Sequence, residues 1–264
     1  MKRFIINETF HLLLRGHSMA DDNASLSMRA EVQAGRRQVV LLSRRQFTVA
    51  AAGVFAVAPL KAGETNANEP HSQKVDAMTL TPEKTALVLL HYQTDILALF
   101  EDAGIDAYVR RMDRLAEAAR AAGIPVFFVK VGFSADYREI APRNKNGQMI
   151  KSFGLFTEDS ISPALLRPDD IVITAHRVSG FQGTGLQAML ADRGIDTLIM
   201  AGIATSGVVL STLSEASDLD FGILLVEDGC FDPDRAVHDA LVSGPFATRA
   251  DILSADEAVA MINQ

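Results

Sequence analysis

Residues Thr197 to Thr212, TLIMAGIATSGVVLST, read as a buried strand that stops and at once becomes a helix. Leu198, Ile199 and Met200 form a short apolar run bounded by Gly202. Small and hydroxyl residues follow at Ala204, Thr205, Ser206 and Gly207, and an apolar helical pattern begins at Val208. A strand that feeds a helix this directly sets several backbone N–H groups, and the positive end of a helix dipole, at the carboxyl edge of a sheet. Open α/β sheets bind ligands at that edge. Close packing of helix on strand would also select small residues, so the pattern alone leaves both readings open.

The flanking sequence repeats the same alternation. Thr85–Leu90, TALVLL, is continuously apolar, which suits a strand buried on both faces of a parallel sheet. Residues 106–122 follow a helical period with Val109, Met112, Leu115 and Ala119 on one face, and Gly123 and Pro125 end that helix. Val126–Val131, VFFVKV, is the second strand, and 171–174 the third. Helices are expected over 184–193, 206–219 and 233–242, with strands at 221–226 and 250–253. The connection 132–167 has weak periodicity and a length usual for a lid, a binding loop or an oligomer contact. Alternating strands and helices predict a doubly wound, three-layer α/β domain over residues 79–264, with a mostly parallel six-stranded sheet. Right-handed crossovers then place every strand's carboxyl end on one side.

That geometry gathers the loops after strands one, three and four. His91 and Asp95 follow the first, His176, Arg177 and Ser179 the third, and Thr205 and Ser206 the fourth. His91 is a general acid or base, or a histidine held within its loop. Asp95 orients the loop and caps a helix, or takes part in chemistry. His176 and Arg177 bind an anion or activate water, or Arg177 pairs with a neighbouring acid. Ser179 and Thr205 touch substrate or satisfy turn backbone groups. Ser206 is a weaker candidate nucleophile, having no paired base in sequence. Lys130, at the end of strand two, is a candidate source of positive charge.

Three stretches carry a family resemblance: ALVLLHYQTDIL, then RVSGFQGTGLQAMLADRGIDTLIMAGIATSGVVLST, then LVEDGC. Residues 84–256 resemble the isochorismatase-like hydrolases, which include nicotinamidases and other cysteine amidohydrolases. The resemblance implies hydrolysis of a small carboxylate- or amide-bearing molecule, and a homo-oligomer. It implies an Asp–Lys–Cys triad at positions that are here His91, Ala175 and Val208. Ser179 and Phe181 stand in its Ser-x-Phe motif, and Val208 would line the site in place of the thiol. The Asp-x-His metal motif of nicotinamidases is missing, since residues 129–138 contain no His. The resemblance also implies a non-proline cis peptide at Ala204–Thr205. The fold therefore carries over, while the chemistry is expected to be non-covalent and to need no metal or cofactor. The alternative is a non-catalytic small-ligand binding protein on the same fold.

Charge and cysteine content narrow the rest. Residues 1–77 carry 10 Lys+Arg against 7 Asp+Glu, and the remainder 15 against 26, within a net charge of −8. An acidic body without basic clusters argues against a nucleic-acid partner. The single cysteine, Cys230, excludes an intrachain disulfide and lies in a different loop from Val208. Near the N-terminus, Ser43-Arg44-Arg45-Gln46-Phe47 precedes the uncharged run Thr48 to Leu60. This pairing resembles a twin-arginine export signal, with cleavage expected near Ala62 and a periplasmic or secreted product. The run is short of the roughly 20 apolar residues that span a bilayer, so stable membrane insertion is not expected. Residues 1–42 form an unusually long extension before the signal, and 63–78 read as a polar linker.

Overall fold

The computed structural model describes residues 80–157, 161 and 165–264. The expected extension, export signal and linker at 1–78 lie outside the described residues. The described chain is built on six strands, β1 (Thr85–Leu90), β2 (Val126–Val131), β3 (Ile171–Ala175), β4 (Thr197–Gly202), β5 (Gly222–Val226) and β6 (Asp251–Leu253). They pair in the order β3-β2-β1-β4-β5-β6, and every pairing is parallel. The sheet is thus wholly rather than mostly parallel.

β1 and β2 are buried along their whole length, as their unbroken apolar sequences require. Close contact of β1 with β4 depends on Gly202, opposite Leu90. A Cβ at Gly202 would meet the Leu90 Cβ at 2.7 Å and the Leu90 carbonyl oxygen at 3.0 Å. The strands cannot separate without breaking their ladder, so this position tolerates only glycine.

The helices are α1 (Thr94–Leu97), α2 (Ile105–Ala121), α3 (Lys145–Phe153), α4 (Leu186–Ala191), α5 (Leu210–Asp218), α6 (Arg235–Leu241) and α7 (Ala255–Ile262). α2 buries Met112, Leu115 and Ala119 of the face its period predicts, together with Ile105 and Ala116, while Val109 is only half-buried. Arg120 of α2 grips Asp170, just ahead of β3, with Nε–Oδ1 at 3.0 Å and Nη2–Oδ2 at 2.7 Å. This bidentate pair ties the helix layer to the edge strand; a hydrogen bond to a charged group contributes about 1.5–3 kcal/mol. Phe127, Phe128 and Phe246 are fully buried. Burying a side chain of this kind is worth about 1.5–3 kcal/mol.

Several expectations are corrected in detail. The connection 132–167 contains α3, whose N-cap Asn144 accepts from the Gly147 N–H at 2.9 Å. Its period was weak because only Gly147 of the helix is fully buried. The helix expected from 206 starts as a wide π-type turn, Thr205–Val209, before α5. The helix expected from 233 begins at Arg235, because Asp234 caps it by accepting from the Ala236 and Val237 N–H groups. A final helix, α7, was not foreseen; Ser254 and Glu257 start it with a capping box.

Candidate active site

The strand order reverses between β1 and β4: β2 and β3 continue to one side, β5 and β6 to the other. Their carboxyl ends frame the crevice where ligands bind in such sheets. The backbone fixes this junction. His91 N donates to the Val129 carbonyl at 2.7 Å, and Ile203 N to the Leu90 carbonyl at 3.1 Å. One step beyond the Leu90–Val129 and Leu90–Gly202 pairs, His91 therefore lies between Lys130 of β2 and Ile203 after β4.

His91 ends β1 in the left-handed region, with φ 60°. For a residue other than glycine this conformation costs about 1–3 kcal/mol and clusters at functional sites. The turn is held by Gln93 N, which donates to the His91 carbonyl at 2.8 Å. The side chain is 9% exposed, and its Nε2 has no hydrogen-bond partner in the protein. Leaving a buried polar atom unmade costs about 1–3 kcal/mol. Burial pushes the imidazole down to about 3, so His91 is neutral near pH 7. It therefore has no imidazolium proton to give, and serves as a hydrogen-bonding group or weak base.

Gln93 joins the ends of β1 and β2. Its Nε2 donates to the Val131 carbonyl at 2.9 Å, and its Oε1 accepts from Val131 N at 2.6 Å. The same Nε2 lies 3.3 Å from Asp95 Oδ1, which also accepts from Ile96 N at 3.1 Å. Lys130 is only 8% exposed. Burial lowers its ammonium pKa, and the Asp95 carboxylate opposes that shift.

At the end of β3, Ala175 is fully buried opposite Val131. His176 Nδ1 lies 2.6 Å from the Gly132 carbonyl. A carbonyl only accepts, so Nδ1 carries the proton and Nε2 is the basic nitrogen. Arg177 Nη1 donates to the Glu139 and His176 carbonyls at 3.1 and 2.6 Å, which ties it into the loops. Ser179 Oγ donates to Glu215 of α5, and Gly180 N donates to Thr212 Oγ1 at 2.9 Å. Phe181 is buried, its ring stacked on Phe221 at 6.0 Å, and packing accounts for it.

After β4 the cis bond is Ile203–Ala204, one residue earlier than expected. Thr205 is buried, with Oγ1 2.9 Å from His238 Nδ1 of α6. Ser206 N donates to Asp232 Oδ2 at 2.7 Å, an acceptor that holds the turn. Val208 is buried in the π-type turn. Cys230 is also buried, and burial pushes its thiol up to about 12, so it keeps its proton at pH 7.

The structure thus brings His91, Asp95 and Lys130 to the β1–β2 end, and Thr205, Ser206 and Val208 to the β4 end. His176 sits one strand farther out, beyond β3. Sequence reasoning missed Gln93, Asp232, Glu215 and His238. The capping pattern that starts α6 at Asp234 was readable, but no local signal reports that His238 reaches Thr205. Among the described residues, no three His, Cys, Asp or Glu side chains are grouped to hold a metal ion. A depression of about 330 Å³, lined by Pro82, Glu83, Gly123, Pro125, Arg193 and Ile195, lies at the opposite, amino edge of the sheet. It contains none of the strand-end groups and is not the crevice described here.

Comparison with known proteins matches residues 85–257 to the isochorismatase domain family. The chain is 32% identical over 198 residues to the uncharacterised isochorismatase family protein YecD of Escherichia coli O157:H7, covering 68% of this chain and 97% of that one. It is 31% identical over 181 residues to ureidoacrylate amidohydrolase RutB of Acinetobacter baylyi, covering 59% and 74%. Among solved structures, an isochorismatase family protein from Burkholderia thailandensis superposes with a TM-score of 0.60 at 25% identity, covering 70% of this chain and 98% of that one.

Proposed function

This chain belongs to the isochorismatase family, and from that premise we propose that it hydrolyses a small amide- or carboxylate-bearing molecule with water as the nucleophile. No covalent enzyme intermediate forms. One observation carries the reading: the switch-point crevice presents a neutral, buried His91 with an unpartnered Nε2, and an apolar Val208 where the family pattern has its thiol. Val208 is apolar, and the one thiol, Cys230, is buried and protonated. A group such as His91 is suited to receiving a hydrogen bond from, or giving one to, a ligand that enters a dry crevice.

The relation to a ureidoacrylate amidohydrolase supplies a first probe, a ureido group joined to a carboxylate. Purified protein should be assayed on ureidoacrylate, simple primary amides and vinyl ethers. Turnover that is lost in His91→Ala, with ligand-free stability retained, supports the reading. Tight binding of a panel member without turnover would favour a binding protein on this fold.

We further propose that the protein acts outside the cytoplasm. The motivation is the Arg44-Arg45 pair ahead of an uncharged run of moderate length. A homo-oligomer is the proposed working form, and light scattering of the purified chain tests it.

A further inference from the structure

We propose that Asp95 and Lys130 form the acid–base pair of this site: Asp95 takes the proton of the attacking water and Lys130 holds the developing oxyanion. The proposal rests on the hydrolase reading above and deepens it.

A lysine on an interior strand of a parallel sheet is unexpected, because lysine is almost never fully buried unless paired. Lys130 sits one residue from the carboxyl end of β2, opposite Thr174 and laterally beside His91, with 8% exposure. Adjacent strands are about 4.8 Å apart, so it belongs to the same crevice wall as His91. Asp95 is half-buried, unlike the enclosed Lys130 and His91. Its orientation is fixed. Oδ1 faces Gln93 Nε2 and accepts from Ile96 N, and that same Nε2 donates to the carbonyl of Val131, the residue after Lys130. Gln93 thus locks the Asp95 carboxylate to the end of the strand that carries the Lys130 ammonium. The charge of Asp95 acts on the Lys130 ammonium, which burial would otherwise discharge.

Burying a lysine ammonium on a strand does little for stability, since desolvation offsets the attraction of a nearby acid. Apolar side chains would pack β2 at least as well. Hydrolysis by water, in contrast, needs both members. Water oxygen bonds to the substrate carbonyl carbon while its proton passes to the Asp95 carboxylate. The carbonyl π pair moves onto oxygen, where the Lys130 ammonium stabilises it. The carbonyl then re-forms, the C–N bond breaks, and the leaving nitrogen takes the proton back from Asp95. Neither residue ends changed, and no further reactant is required.

Ureidoacrylate turnover by the full chain tests this in wild type, Asp95→Asn, Lys130→Met and the double variant. General acid–base catalysis contributes about 10²–10⁴-fold. Each single variant should lower kcat at least about 100-fold with KM within about threefold, and the double variant should be no slower than the singles, because the pair acts as a unit. The acidic limb of the kcat/KM profile should vanish in Asp95→Asn. A second readout needs no turnover. In protein labelled with ¹⁵N-lysine, the signal absent from Lys130→Arg identifies Lys130, and its titration midpoint should fall in Asp95→Asn. Wild-type turnover that survives both single changes within about threefold overturns this inference alone. So does a Lys130 midpoint unmoved by Asp95→Asn. Absence of turnover in wild type overturns the hydrolase reading and the catalytic role together.

Discussion

Thr205 Oγ1 and His238 Nδ1 lie 2.9 Å apart in a buried contact that joins the turn after β4 to α6. The next residue is fixed in the same way, Ser206 N donating to Asp232 Oδ2 at 2.7 Å. Two side chains from the β5–α6 region therefore hold the segment that forms one wall of the crevice. Removing either partner leaves a buried polar atom unmade, at about 1–3 kcal/mol.

His238→Ala should accordingly lower unfolding stability by about 1–3 kcal/mol, read as a fall in urea midpoint at constant slope. Thr205→Val should cost a similar amount, and the two should be less than additive, because they share one bond. Full additivity would mean that the contact contributes nothing.

His91 sets a pH dependence. Burial holds its folded pKa at about 3, below the ordinary histidine value of 6.5, so the unfolded chain binds more protons in between. The neutral group's contribution is intact above pH 6.5 and is lost progressively as pH falls toward 3. The expected slope from this group is about 1.4 kcal/mol per pH unit within that window. Burial also lowers the His238 pKa, which adds loss in the same direction below its ordinary value. Replacing His91 by Gln should flatten the wild-type slope in urea titrations between pH 6 and 4; an unchanged slope would show that His91 is charged or exposed when folded.

Position 208 gives a third test. Val208→Cys would place a thiol near the start of α5, but Ala175 supplies no ammonium and His91 no carboxylate to act on it. No thiol-dependent amidase activity should appear in that single variant. The triple change His91→Asp, Ala175→Lys, Val208→Cys is the smallest that restores the pattern the resemblance implies, and intermediate variants should gain little. Iodoacetamide-sensitive turnover arising in Val208→Cys alone would show that another base already serves this position.

Export is tested separately. Changing Arg44 and Arg45 to Lys should leave the precursor in the cytoplasm, assayed by fractionation and by the loss of cleavage near Ala62. Cleaved product in the periplasm or medium at wild-type yield would remove the assignment.

Much of the fold was legible because parallel strands buried on both faces write themselves as unbroken apolar runs, such as TALVLL and VFFVKV. α3 was not legible, since a helix that buries only Gly147 leaves no apolar stripe. α7 announces itself through Ser254 and Glu257, a signal strong enough to have been used. The shared carboxyl edge followed from right-handed crossovers, and His91 and Thr205 do follow β1 and β4 there; that the strand order reverses between those two strands was not legible. The polar contacts there were not legible. Gln93 reaches Val131 across 38 residues and Thr205 reaches His238 across 33, and no local pattern encodes such pairings. The neutral state of His91 was likewise hidden, because it depends on enclosure by neighbouring strands and not on adjacent residues.

The central claim, hydrolysis without a protein nucleophile, is tested most directly in a chain without thiols. Cys230 is the single cysteine, so Cys230→Ser removes every thiol at once. The measurement is kcat for ureidoacrylate in wild type and Cys230→Ser, with intact-mass spectra of acid-quenched single turnovers. The account predicts kcat within about twofold in the two proteins and no substrate-derived mass on either. Loss of turnover in a folded Cys230→Ser, or a covalent adduct on the wild-type chain, would contradict it.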